Sequence, residues 1–209
     1  MRKLKLVLAM AIACAFLVGC AAPRAVIDDS WTSKPTKVKV VFTEPIIANL
    51  DDLQDDLPDY YNKFSEWYKT ELENNLGEQT SGVRYSVQKI SSDNIRINPA
   101  PLNNENIKVP SVTEMSNSAD IYLVLDDIWI GRTTKMSTCS NGMTTYSCPQ
   151  NYFTAKGIYA YYDVKSGKRV GYGDYEANSG YSFVVSLSDW ENIMEKAVRI
   201  VLNNTPLAE

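Results

Sequence analysis

The sequence contains no histidine. Without imidazole there is no Ser-His-Asp triad, no Cys-His dyad, no His-ligated zinc and no side chain that ordinarily titrates near neutral pH. Most familiar hydrolases are thereby excluded. We expect a non-enzymatic protein with no metal centre, no catalytic residues and no cofactor.

Basic residues are also fewer than acidic ones. The chain has 21 Lys and Arg against 25 Asp and Glu, a net charge of −4, and no basic run. Nucleic-acid binding depends on clustered Lys and Arg, so we expect no nucleic-acid partner. The apolar fraction of 44% in 209 residues is typical of one globular domain.

The amino terminus has the pattern of a secretory signal. Arg2, Lys3 and Lys5 precede an uncharged stretch from Leu6 to Gly19. This stretch is shorter than the roughly 20 residues that a membrane-spanning helix needs. The alternatives are a plain signal peptide with an incidental cysteine after it, or an uncleaved apolar anchor.

The end of this stretch, Leu17-Val18-Gly19-Cys20, resembles the processing box of bacterial lipoproteins. The resemblance implies cleavage before Cys20, diacylglycerol on its sulfur and a fatty acyl group on the new amino terminus. Ala21 in the next position implies transport to the outer membrane. Residues 1–19 are then a lipoprotein signal peptide, and the mature protein is held by its lipid at the periplasmic face of that membrane.

The segment after Cys20 lacks periodicity and contains Pro23 and Pro35. This pattern predicts a lipidated tether over residues 20–36, with a flexible reach of about 20 Å. A single periplasmic domain over residues 37–209 follows. Removal of Arg2, Lys3 and Lys5 leaves 18 basic against 25 acidic residues, a net charge of −7.

Two cysteines remain for a disulfide. Cys14 leaves with the signal and Cys20 carries the lipid, so Cys139 and Cys148 face an oxidising compartment alone. Their spacing is wider than a redox C-x-x-C motif, and two thiols are too few for a metal site. We expect a structural disulfide that closes a loop between two strands.

Residue patterns predict an α+β order of elements. Alternating or continuous apolar residues indicate strands, and apolar residues on one helical face indicate two main helices. The predicted order is a strand at Val38–Phe42, a helix at Asp59–Leu76 ended by Gly77, a strand at Val83–Ile90, an irregular segment at Ser91–Pro110, a central strand at Ala119–Ile130, a long hairpin of residues 151–164 and 168–181 turning at Gly167, and a helix opened by the capping box Ser188-Asp189-Trp190-Glu191 and ended by Pro206.

Two of these segments together resemble a recurrent pair in envelope lipoproteins. An Ala119-Asp120 pair enters the central strand, and Asp163 and Gly167 mark the later hairpin turn. The group includes the curli-secretion lipoprotein, the lipoprotein activator of penicillin-binding proteins and the amino-terminal domain of TolB. The resemblance implies a single mixed β-sheet, here of about five strands, with two main helices packed on it and a long C-terminal hairpin.

Tyrosines are dense in the predicted hairpin. Exposed tyrosines suit a protein partner because each supplies apolar area and a hydroxyl at low entropic cost. The alternative is that the rings pair across strands inside the fold. Our candidate partner-binding residues are Tyr159, Tyr161, Tyr172 and Tyr175.

Acidic residues offer two further hypotheses. The series Asp51, Asp52, Asp55, Asp56 and Asp59 lacks the glycine and glutamate of an EF-hand, so we interpret it as solvated residues before a helix. Asp126-Asp127 and Asp174-x-Glu176 are candidates for a glycosidase pair. Adjacent aspartates on a regular strand point to opposite faces, which weakens the first pair.

Taken together, these features predict a non-enzymatic outer-membrane lipoprotein whose periplasmic domain binds an envelope protein partner, in cell-wall synthesis or a transport assembly. The first alternative is an oligomeric secretion or assembly subunit. The second is a carboxylate-based glycan hydrolase.

Lipidation can be tested with matched cysteine variants. We expect labelled palmitate to enter the wild-type and Cys14→Ser polypeptides and not the Cys20→Ser polypeptide, because only the Cys20 thiol is placed to receive the lipid. Gel fluorography of immunoprecipitated protein measures the incorporation. Equal labelling of Cys20→Ser would contradict the processing site.

Overall fold

The computed structural model describes residues 24–53, 57, 63–181 and 183–208. The predicted signal peptide, Cys20 and the first residues of the predicted tether lie outside these ranges. Within them, no helix is long and apolar enough to cross a membrane. The elements are β1 Ala25–Ile27, β2 Lys37–Phe42, β3 Ile46–Ile47, α1 Leu50–Leu53, α2 Phe64–Glu78, β4 Arg84–Lys89, β5 Ile95–Leu102, β6 Glu105–Val112, β7 Ile121–Ser140, β8 Thr145–Asp163, β9 Arg169–Gly180 and α3 Leu187–Leu202.

A mixed sheet of seven strands forms the centre of the fold. Its order is β1-β9-β8-β7-β2-β4, and β3 also pairs with β7. β2 runs parallel to β4 and β7, whereas β7, β8, β9 and β1 are antiparallel neighbours. The α+β class, the mixed sheet, the two main helices and the C-terminal hairpin are confirmed. The two strands beyond the expected five are β1 and β3, which are too short to leave a periodic pattern.

The central strand lies where the apolar run predicts it. Leu123 and Val124 of β7 are fully buried, one against each of the two layers that cover the sheet. The strand has a β-bulge between Asp126 and Trp129 and continues to Ser140. It therefore extends well beyond the predicted end at Ile130, because the apolar pattern reports burial and β7 leaves the core at that point.

Helices α2 and α3 cover one face of the sheet. Trp190 of α3 is fully buried and lies against Phe153 of β8, with ring centroids 4.5 Å apart. Phe64 and Trp67 of α2 contact the same indole at 5.6 and 6.0 Å. These four rings join both helices to the sheet, and edge-to-face aromatic pairs of this kind stabilise a core beyond their buried area.

The end of α2 differs slightly from the prediction. The helix passes through Gly77 to Glu78. Its last turn is closed by the Thr80 hydroxyl, which donates to the Leu76 carbonyl at 2.8 Å, so the chain needs no glycine stop at that position. The predicted start at Asp59 lies outside the described residues.

The capping box of α3 lies two residues earlier than predicted. Ser186 is the N-cap, and the Asp189 carboxylate accepts from the Ser186 backbone N–H at 2.9 Å. Ser188 and Glu191 have the same spacing, so the sequence offers two possible boxes. The shorter Asp side chain makes the reciprocal bond, and the helix begins at Leu187.

The segment Ser91–Pro110 is not irregular, and that prediction is wrong. Most of it belongs to the hairpin of β5 and β6, which forms a separate two-stranded sheet. Both of its strands have an outer edge, where proline is tolerated because no ladder hydrogen bond is needed there. This explains how Pro99, Pro101 and Pro110 are accommodated in strands.

The β5–β6 hairpin covers the second face of the main sheet. Ala100 and Val109 are buried against rings of the sheet. Tyr162 donates from its hydroxyl to the Pro110 carbonyl at 2.9 Å, and Tyr172 donates to the Pro101 carbonyl at 2.7 Å. The sheet is thus covered by helices on one face and by a small hairpin on part of the other.

The predicted tether is folded over its described part, which corrects the sequence-based boundary at residue 37. Residues Ala25–Ile27 pair with Gly171–Gly173 of β9. Trp31 packs on Tyr161 with ring centroids 5.1 Å apart. A β-carbon on Gly173 would lie 2.4 Å from the Arg24 carbonyl oxygen, so glycine permits this close approach.

A methyl group at this contact should displace β1. We expect Gly173→Ala to lower the free energy of unfolding by about 1–3 kcal/mol, the usual cost of overpacking. Urea denaturation followed by tryptophan fluorescence measures the change. Gly180→Ala is the matched control, since a β-carbon there meets nothing within 4 Å. Equal effects of the two variants would contradict the close approach.

Candidate functional site

The four tyrosines predicted to bind a partner are buried. Tyr159 and Tyr161 are fully buried, and Tyr172 and Tyr175 are 7% and 3% exposed. The Tyr161 hydroxyl donates to the Val201 carbonyl at 3.0 Å, and desolvation raises the pKa of Tyr161 and Tyr175 well above the ordinary value. This burial contradicts the expectation that these rings are available to a partner, and the alternative of packing within the fold describes them correctly.

The most exposed part of the sheet is an extension of β7 and β8 beyond the core, which the sequence prediction missed. We call residues 135–150 the projecting ribbon. β9 ends opposite Tyr152, and β3 pairs with β7 only as far as Ile130. Within the described chain, the ribbon's strands pair only with each other, so both of their outer edges carry free backbone groups.

The predicted disulfide between Cys139 and Cys148 is confirmed, and it lies within this ribbon. The four-residue connection is ordered by Asn141, whose side-chain oxygen accepts from the backbone N–H groups of Met143 and Thr144 at 3.1 and 2.9 Å. An isolated two-stranded hairpin is only marginally stable in water. The bridge and the turn therefore supply the rigidity that the core does not.

The ribbon exposes apolar side chains and almost no charge. Met136, Met143 and Tyr146 are 67%, 95% and 51% exposed. Residues 136–150 contain no Asp, Glu, Lys or Arg. Exposed strand edges are usually protected by charge or proline, because unpaired backbone groups otherwise recruit another strand. Pro149 is the one such residue in this stretch, so most of the ribbon's edge remains open to pairing.

The first candidate carboxylate pair lies at the β7 bulge. Asp127 has a φ of 51°, and Asp126 and Asp127 both border one cleft. Asp126 accepts from the Thr43 hydroxyl at 2.6 Å. The cleft encloses about 790 Å³ between the β5–β6 hairpin and the carboxyl ends of β2 and β4. Asp127 also borders a second cavity, with Asp174 and Tyr175, so the two adjacent aspartates share only one of their surroundings.

The second candidate pair is neutralised by cations. Arg24 donates two hydrogen bonds of 2.7 Å to Asp174, and Lys135 pairs with Glu176. The Lys135 hydrogen bond lowers the pKa of Glu176, despite partial burial that opposes it. A glycosidase needs a general acid with a raised pKa. Although Asp127, Asp174 and Glu176 line one cavity of about 300 Å³, Glu176 does not meet that requirement.

The acidic series before α2 shows no metal site in its described part. Asp55, Asp56 and Asp59 lie outside the described residues. Across the ranges that the structure does describe, no group of three or more His, Cys, Asp or Glu side chains is placed to hold a metal ion.

Comparison with known proteins yields distant structural likenesses. No protein-family model and no curated protein matches the chain. It is similar to PelC from Paraburkholderia phytofirmans, a dodecamer, with 11% identity and a TM-score of 0.45 over 89% of this chain and 98% of that one. It is also similar to a homolog of a neuraminyllactose-binding hemagglutinin from Helicobacter pylori, with 12% identity and a TM-score of 0.38 over 80% and 79%. Likeness at this level does not determine function.

The Lys135–Glu176 pair gives a pH-dependent prediction. We expect Lys135→Met to raise the pKa of Glu176 toward the ordinary value of 4.5, because the hydrogen bond that favours its charged form is lost. In the wild type, the lowered pKa of Glu176 stabilises the folded state at pH values above the ordinary glutamate pKa of 4.5. This contribution is lost as the pH falls through the lower pKa that Glu176 has in the folded state.

Carbon-13 NMR titration of the glutamate carboxyls measures the shift. Lys165→Met is the control, since Lys165 is exposed in the β8–β9 turn. An unchanged Glu176 titration in Lys135→Met would show that Lys135 does not set its pKa.

Proposed function

We propose that the chain is a non-enzymatic outer-membrane lipoprotein, anchored through Cys20, whose periplasmic domain binds an envelope protein partner through the projecting ribbon. The observation that carries the proposal is the ribbon itself, a disulfide-braced pair of strands without charge beyond Lys135 and with both edges unpaired. The lipid anchors the protein in the membrane, and the ribbon binds the partner.

The mode of binding that this geometry favours is strand addition. An extended segment of a partner pairs its backbone with a free edge, and side chains at alternate positions provide specificity. Met136 and Tyr146 are exposed on the two strands of the ribbon, and Met143 is exposed in the turn that joins them. A braced ribbon loses little conformational freedom when it binds, so less of the interaction energy is spent on ordering it.

The second candidate function is an assembly subunit built from copies of this chain. The free edges of the ribbon favour it, because β7 and β8 each present one and a repeated edge-to-edge contact generates a ring or a filament. Mass measurement in mild detergent separates the two functions. A uniform monomer is expected for a binding module, and a discrete multimer for an assembly subunit.

Replacing the ribbon tests the proposal directly. We expect a variant in which Asn-Gly replaces residues 135–150 to remain folded and lipidated and to lose its crosslinked partner. The strands then end at the Thr134–Asn151 pair, where a two-residue turn of this composition closes a hairpin. In-cell crosslinking with mass spectrometric identification measures the loss.

A control variant tests whether any change in an exposed turn affects capture, and a second variant tests the exposed side chains of the ribbon. Exchanging Asn103 and Asn104, in the exposed β5–β6 turn, for Gly should leave the captured species unchanged. Met136→Ser with Tyr146→Ser should reduce capture about tenfold, which corresponds to about 1.4 kcal/mol. Undiminished capture by the ribbon-replaced variant would overturn the assignment of binding to the ribbon.

A further inference from the structure

The amino-terminal segment is fixed to the sheet from its first described residue. Arg24 forms two hydrogen bonds of 2.7 Å with Asp174, and its carbonyl accepts from the Asp174 backbone N–H at 3.1 Å. Strand β1 follows at once, and the Asp28 N–H donates to the Val170 carbonyl at 2.9 Å. The chain has therefore joined the domain by residue 24.

This attachment leaves little chain between a lipid on Cys20 and the domain. The intervening residues are Ala21, Ala22 and Pro23. An extended chain spans at most about 3.6 Å per residue, so Arg24 can lie no more than about 14 Å from the anchored cysteine. A tether of residues 20–36 would have allowed the domain far more freedom.

We infer that the surface around Arg24 lies against the phospholipid headgroups of the leaflet that holds the Cys20 lipid. This surface, which we call the anchor side, comprises Arg24, Val26, Glu105 and Lys156. Val26 is 42% exposed on the sheet edge, and Lys156 lines a cavity with Arg24. The hydrogen bond from Arg24 to Asp174 raises the pKa of Arg24, and the charge of Glu105 adds to this effect. The inference rests on the proposed lipidation of Cys20.

The charges of the anchor side are consistent with a membrane contact that is imposed by the short linker between Cys20 and Arg24. Asp174 is paired with Arg24, and the Lys156 ammonium lies 4.8 Å from the centre of the Trp129 ring. The surface carries both signs with no basic cluster, and a basic cluster is what electrostatic attraction to anionic lipid requires. Proximity to the membrane should consequently be insensitive to salt and present with zwitterionic lipid.

The turn of the projecting ribbon lies farther along β8, although the base of the ribbon, at Lys135, pairs with Glu176 near Arg24. Tyr159 is opposite Gly173, next to β1, whereas Thr145 begins the strand at the ribbon turn. The fourteen intervening steps along the strand correspond to about 46 Å at about 3.3 Å per residue. The anchor side and the ribbon turn can therefore be distinguished by their distance from lipid.

Lipid photocrosslinking tests the inference on the full lipidated chain. A photoreactive phenylalanine analogue replaces Glu105 in one variant and Met143 in another, and each protein is reconstituted into phosphatidylcholine vesicles. We expect at least fivefold more lipid adduct from position 105 than from position 143, with and without added salt. A 20-residue Gly/Ser insertion between Pro23 and Arg24 should reduce the position 105 yield at least threefold.

The outcomes separate this inference from the proposed lipidation. Mass spectrometry of the mature amino terminus reports the lipid on Cys20 independently, and its absence would overturn the anchoring and the inference together. A lipidated protein with equal adduct yields at positions 105 and 143, or with a position 105 yield unaffected by the insertion, would overturn only the placement of the anchor side.

Discussion

The antiparallel pairing of β7 with β8 is the interaction on which the rest of the structure depends. It runs from Ile121–Asp163 in the core to Ser140–Thr145 at the ribbon turn. In its first half, side chains on one face meet α2 and α3 and those on the other meet the β5–β6 hairpin. Only over residues 135–150 does the same ladder continue without either layer, so one pair of strands forms part of the core and also the projecting ribbon.

The bulge between Asp126 and Trp129 lies a few residues before the point where β7 leaves the core. Before it, alternation places Leu123 toward the helices and Val124 toward the hairpin. At the bulge Asp127 adopts a positive φ, and both Asp126 and Asp127 border the cleft. Beyond it Ile130 of β7 and Phe153 of β8 are still buried, and only from Lys135 onward are the strands held by pairing and a disulfide instead of burial.

Sequence patterns predicted the elements whose burial is one-sided or complete. The apolar run of β7, the alternation of β4 and the helical stripe around Trp190 each specify one structure, and the cysteine count specified the disulfide. Elements held mainly by backbone pairing leave no such pattern, which is why β1, the proline-containing β5–β6 hairpin and the outer part of β7 were not predicted. The prediction that the candidate tyrosines are exposed failed for a related reason. An aromatic residue on a strand gives the same sequence pattern whether its ring faces solvent or, like that of Tyr159, packs inside the fold.

The position of the Cys139–Cys148 bridge has a consequence for how the protein responds to its surroundings. The bridge closes a short local loop at the far end of the sheet and contacts none of the aromatic rings that join the helices to it. Reduction of the disulfide would accordingly increase the flexibility of the projecting ribbon and leave the core of the domain folded. The redox state of the bridge thus governs the stiffness of the projecting ribbon, while the aromatic contacts between the helices and the sheet do not depend on it.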